Sequence, residues 1–124
     1  MSDFVRTMLF FAPVHVQPRH TCQVSHFVRD TVSVFELRIR NGDWFELESV
    51  TVGNRYVPHR DKVTVMPAHP EQDEAGAYLV WPFLQPVRVR APLGVLHVEV
   101  KNLRAEISLL EAVVFGHALA PEPS

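Results

Sequence analysis

Cysteine is almost absent: Cys22 is the only one in 124 residues. No internal disulfide can form, so the fold must rest on packing and hydrogen bonds, and it needs no oxidising compartment. Long apolar runs are missing too, since no stretch approaches the ~18 residues of a membrane-spanning helix. The run from Met8 to Ala12 is short and follows Asp3 and Arg6, which is unlike a secretion signal. The sequence therefore predicts synthesis in the cytoplasm and no membrane partner. Twelve basic and fourteen acidic residues are interspersed, with net charge −2 and no Lys/Arg cluster. That excludes the usual electrostatic footprint of a nucleic-acid binder. No Gly-rich phosphate loop, Gly-x-Ser-x-Gly elbow, internal repeat or low-complexity tract is present.

What the chain has is apolar content and punctuation. Apolar residues make up 47% and charged residues 21%, with mean hydropathy +0.02. This is one globular domain over 1–124, somewhat apolar for its size, with exposed apolar area to spare for assembly contacts. Ten prolines separate short runs rich in Val, Phe, Thr and Leu, which suit strands better than helices. No amphipathic helix pattern alternates with them, so parallel βαβ units are not expected. The sequence predicts an all-β, antiparallel two-sheet sandwich of eight or nine strands, with a jelly roll as one form of it. A partly closed barrel is the alternative. Residues 1–20 could form an N-terminal arm and 117–124 a flexible tail.

Strand patterns fall at Val5–Phe11, Val14–Val16, Cys22–Val28, Phe35–Arg40, Trp44–Glu48, Val63–Met66, Ala77–Trp81, Val87–Arg90 and Leu96–Lys101. Asn41-Gly42-Asp43 reads as a three-residue hairpin loop with a residue at positive φ. It would pair Ile39 with Phe45 and Leu37 with Leu47 inside, and Arg38 with Glu46 and Arg40 with Trp44 outside. Gly53-Asn54 reads as a second turn, with Arg55–Val57 returning opposite Val50–Val52. His59–Lys62 reads as a polar turn and Pro67–Gly76 as a solvated loop. Ala77–Trp81 is apolar on both parities, as in a strand buried on both faces. Between Arg104 and Phe115, two short strands or one bulged strand are favoured over a helix.

Candidate sites are few. His20, Cys22 and His26 share one face by strand parity, and His20 and Cys22 could approach one zinc ion. His26 lies about 13 Å beyond Cys22 on an ideal strand, so a bulge would be required. Pro92-x-Gly94-x-x-His97, followed by Asn102, resembles the second metal-binding motif of cupins. That resemblance would make His97 the one ligand present, since no His-x-His pair exists to supply partners. His97 alternates with Leu96 and Val98, which sets it on the polar face. Cys22 beside a histidine is a conceivable nucleophile. Glu46 and Glu48 share a strand face at glycosidase-like spacing. Seven histidines allow a pH-dependent surface charge. Trp44, Trp81, Tyr56, Tyr78 and Phe83 could form a stacking platform. None of these sets is coherent enough to predict an enzyme, a metal or a cofactor.

The expectation is a non-catalytic structural subunit that associates with itself or with other structural proteins of a larger assembly. Phe10, Phe11, Trp81, Phe83 and Leu84 are the expected contact residues, being apolar side chains crowded near prolines. The stretches His97-Val98-Glu99-Val100-Lys101-Asn102, Ala105-Glu106 and Glu111-Ala112-Val113-Val114-Phe115-Gly116 resemble the closing strands of small β-sandwich virion proteins of tailed or icosahedral bacteriophages. The resemblance spans about twenty residues and implies a capsid, decoration or spike-base role, symmetric self-association and a virion location. A cupin-like metal enzyme or sensor and a carbohydrate- or ligand-binding β module are the alternatives.

Overall fold

A computed structural model describes residues 5–119. More than two thirds of them are in antiparallel strands. These are β1 (Val5–Phe10), β2 (Val14–Val16), β3 (Thr21–Phe27), β4 (Val32–Arg40), β5 (Phe45–Asn54), β6 (Val57–Lys62), β7 (His69–Asp73), β8 (Gly76–Val89), β9 (Gly94–Asn102), β10 (Ser108–Leu110) and β11 (Ala112–Ala118). A five-stranded sheet runs β1-β11-β4-β8-β7, a four-stranded sheet runs β3-β9-β5-β6, and β2 pairs with β10. The all-β sandwich expected from the patterning is therefore observed, with eleven strands among the described residues rather than eight or nine.

The two larger sheets share one core. Val34, Leu37, Ile39, Val89 and Val114 from the first meet Leu96, Val98, Val100 and Val50 from the second, all essentially inaccessible. β4, β5 and β9 mostly alternate inward apolar with outward polar residues, which buries one face, whereas β8 and β11 also carry apolar residues on the outer face. Trp81 and Phe83 lie in this core, as does Phe11 just after β1.

The Asn41 turn corrects the expected hairpin. β4 pairs with β8 and β11, whereas β5 pairs with β9 and β6. Phe35–Arg40 and Trp44–Glu48 therefore belong to opposite sheets. Asn41 does adopt the left-handed conformation, at φ 51°, and a single 3-10 turn at Gly42–Trp44 carries the chain across. Gly42 passes so close to β8 that a Cβ there would sit 2.7 Å from Leu79 Cβ. Crossing the core gives Leu37 and Ile39 a neighbouring strand on each side, which a two-stranded ribbon cannot do. Consequently Glu46 faces Lys101 rather than Arg38, and it is Arg104 that covers Trp44, 3.9 Å above its ring.

Other expectations shift in the same way. Gly53 remains in β5 and the turn falls at Arg55-Tyr56, with Asn54 Oδ1 accepting from the Tyr56 amide at 2.9 Å. The expected polar turn His59–Lys62 is part of β6, and the expected loop Pro67–Gly76 contains β7. Val63–Met66 forms only a single bridge, Val65 to Phe83. Within Ala77–Trp81, Trp81 is buried inward and Tyr78 and Val80 outward, whereas Leu79 is half-buried and Ala77 is exposed, so the expected burial on both faces holds only from Tyr78 on. The closing segment is two strands, β10 and β11. His117 and Ala118, expected in the tail, pair with both β1 and β4, and 120–124 lie outside the described residues. The expected arm likewise supplies β1 and β2, with residues 1–4 outside the described residues.

Candidate functional site

The outer face of the five-stranded sheet is the most organised surface. Strand pairing places Met8 beside Phe115 and Phe10 beside Val113, next to Arg38, Arg40 and Tyr78. Arg38 lies 4.1 Å above the Phe115 ring and 5.3 Å from the Tyr78 ring centre, and Arg40 lies 5.2 Å from the latter. Such stacking holds each guanidinium flat against the sheet. Glu36 accepts from Arg38 Nε at 2.5 Å, and Asp73 accepts from both terminal nitrogens of Arg40 at 2.8 Å each. The Tyr78 hydroxyl donates to Glu71 at 3.1 Å, and Glu71 also accepts from His69 at 2.8 Å. Hydrogen bonding from His69, then from Tyr78, lowers the Glu71 pKa, and the bond from Arg40 lowers that of Asp73. Burial, then the Glu71 bond, raises Tyr78.

The result is a stiff polar lattice covering a small apolar cluster of Tyr78, Val80 and Phe115, all buried on the outer side. Beside it a groove of about 240 Å³ runs between β1 and β4. Its far wall is apolar and open: Phe10 is 64% exposed and Met8 46%. No lattice member is positioned as a nucleophile with a base, and both arginines face carboxylates.

The expected contact residues divide. Phe10 lines the groove and Leu84 is exposed elsewhere on β8. Phe11, Trp81 and Phe83 are core residues, so they are not available as surface contacts. Trp81 faces inward because it pairs with Leu37, whose parity belongs to the core. Sequence reasoning missed Met8, Arg38, Arg40 and Phe115. The signal for them is the outward parity of the strands that carry them, which could be assigned only once neighbours were known.

The candidate metal ligands do not converge. Cys22 and His26 share the inward parity of β3 with Val24 between them, whereas His97 points outward from β9. His26 Nδ1 donates to the Phe10 carbonyl at 3.0 Å. The His20 carbonyl accepts from the Asn102 amide at the opposite end of β3. Burial raises the Cys22 thiol pKa, the wrong direction for a nucleophile. Among the described residues no three His, Cys, Asp or Glu side chains gather to hold an ion. Asn102, paired with His97 in the cupin resemblance, is fully buried and inward-facing. Its Nδ2 donates to the carbonyls of Val16, Gln17 and Glu106 at 3.0, 3.3 and 2.9 Å, and its Oδ1 accepts from the Arg104 amide at 2.9 Å. It is a backbone tie. Trp44 lies in the 3-10 turn and Trp81 in the core, so they form no common platform.

Among the described residues no helix is long and apolar enough to cross a membrane. No protein-family model, curated protein or solved structure matches the chain.

Proposed function

We propose that this protein is a structural subunit that assembles by packing the groove face of its five-stranded sheet against a second copy. The observation carrying this reading is the open Met8–Phe10 wall beside a rigid Arg38–Tyr78–Arg40 lattice. Phe, Met, Tyr and Arg are the side chains concentrated at interface centres. The lattice is already ordered, so docking costs little side-chain entropy. Its charges are internally paired, so a partner of the same near-neutral composition meets no large repulsion. β1 is also the edge of its sheet, and an edge strand of six residues bearing Met8, Leu9 and Phe10 invites a neighbour.

Within that class we infer a virion component: capsid, decoration or spike base. The strand order supports it. β1-β11-β4-β8 facing β3-β9-β5-β6, with β7 added at one edge, supports reading the sandwich as a jelly roll, two Greek keys wound together. Viral capsid proteins use this architecture, though lectins and cupins do as well. The resemblance of the closing strands to bacteriophage virion proteins favours the first. Sedimentation velocity across a concentration series tests the assembly reading. A discrete oligomer that Phe10→Ser reduces to monomer supports it; a wild-type chain that stays monomeric at every concentration overturns it.

A further inference from the structure

On the other sheet, a glycine opens a hollow in an otherwise continuous outer face. Gly53 pairs with Val95 on β9 and with Arg60 on β6. A Cβ on Gly53 would lie 3.3 Å from Arg60 Cγ and 3.9 Å from His97 Nε2, so these two side chains border the missing one. Val95 forms the floor and is buried although it faces away from the core. The register shifts between Gly53 and Asn54, an irregularity next to the Arg55-Tyr56 tip, and both tip residues line the cleft. A glycine inside a strand and a bulge beside it are common where a ligand approaches a sheet closely. The cleft holds about 580 Å³, in the size range of small-molecule sites.

The polar groups there are oriented by one another. Arg60 Nη1 donates to Gln23 Oε1 at 2.8 Å, which fixes the orientation of that amide. Gln23 Nε2 then donates to His97 Nδ1 at 3.4 Å, and Ser25 Oγ lies 2.6 Å from the same nitrogen. With Nδ1 accepting, the neutral ring carries its proton on Nε2, the atom bordering the hollow. Desolvation, then the charge of Arg60, lowers the His97 pKa, consistent with a neutral donor. Arg55 is stacked 4.8 Å from the Phe27 ring centre at one end. Phe27 is 52% exposed and Tyr56 77%. The cleft thus joins two guanidiniums, an imidazole N–H and two open aromatic rings, and no carboxylate lines it.

We propose that this cleft binds a small ring compound bearing an oxyanion, specifically a sugar acid or a sugar phosphate. Arg60 and His97 Nε2 hold the oxyanion over Gly53, and Phe27 and Tyr56 cover the ring. Guanidinium suits carboxylate and phosphate alike, so the two sources share one recognition chemistry. This site is on the opposite sheet from the proposed assembly face and stands independently of it.

The test is titration of the full-length chain, followed by amide NMR, with glucuronate, glucose 6-phosphate, glucose and inorganic phosphate in turn. Saturable shifts at Gly53, Val95 and His97 are expected with at least one of the first two. Comparison of those two assigns carboxylate or phosphate. Glucose and inorganic phosphate should each bind at least tenfold more weakly, because each supplies half of the recognition. Arg60→Ala, an exposed substitution, and Gly53→Val, which fills the hollow, should each weaken binding tenfold or more. Absence of saturable binding by both anionic sugars, or binding unchanged in Arg60→Ala, overturns the proposal.

Discussion

The side-chain amide of Asn102 donates to the Val16 carbonyl, joining the end of β9 to β2 through a fully buried contact. Together with its bonds to Gln17, Glu106 and Arg104, it satisfies the backbone of two irregular connections that no strand pairing reaches. Replacing Asn102 with Ala takes this donor from the buried Val16 carbonyl and from the Gln17 and Glu106 carbonyls in half-buried contacts. The expected loss is about 2–3 kcal/mol of unfolding free energy, read by urea denaturation. A loss below about 0.5 kcal/mol would mean that water replaces the amide without cost.

Phe10 and Trp81 separate association from folding. Trp81→Ala opens a cavity against Leu37 and should cost about 3–5 kcal/mol. Phe10→Ser removes an exposed ring, and its stability should stay within about 0.5 kcal/mol of wild type while association is lost. Thermal denaturation at a dilute concentration, run beside the mass measurement, checks both.

Two glycines should respond in opposite ways to a methyl group. At Gly116 a Cβ would lie 2.6 Å from the Ser33 carbonyl oxygen, a backbone atom at the β11 bulge. Gly116→Ala should therefore cost about 1–3 kcal/mol. At Gly53 the nearest atom belongs to the flexible Arg60 side chain, so Gly53→Ala should be nearly neutral. Denaturant midpoints of the two variants make the comparison.

Acid should weaken the lattice in a defined window. The bond from Arg40 depresses the Asp73 pKa in the folded state, so folding favours the carboxylate. That stabilisation is complete above the ordinary aspartate range and is lost as pH falls through the lower folded value. Melting temperature followed against pH should fall more steeply below that range for wild type than for Asp73→Asn. Parallel curves would show that the Arg40 contact adds nothing to stability.

The faces were legible in the sequence, but the neighbours were not. Period-two alternation in Phe35–Arg40 and Leu96–Lys101 correctly put Leu37, Ile39, Val98 and Val100 inside. It carries no information on which strand lies alongside, so Asn41-Gly42 read as a hairpin when it is a crossing between sheets. β6 and β7 were read as turn and loop because every residue in them is exposed, which leaves no apolar alternation to detect. Crowding beside prolines drew attention to Trp81 and Phe83, yet it does not distinguish a core strand from a contact surface. Gly53-Asn54 reads as a turn from the sequence; that Gly53 stays in β5 and shapes a hollow depends on β6 and β9 at its sides.

The most direct test of the assembly account is amide hydrogen exchange measured at low and at high protein concentration. Concentration should slow exchange along β1, at Met8 and Phe10, and leave β3 and β6 unchanged. Identical exchange at both concentrations, or protection gained only on the four-stranded sheet, would contradict it.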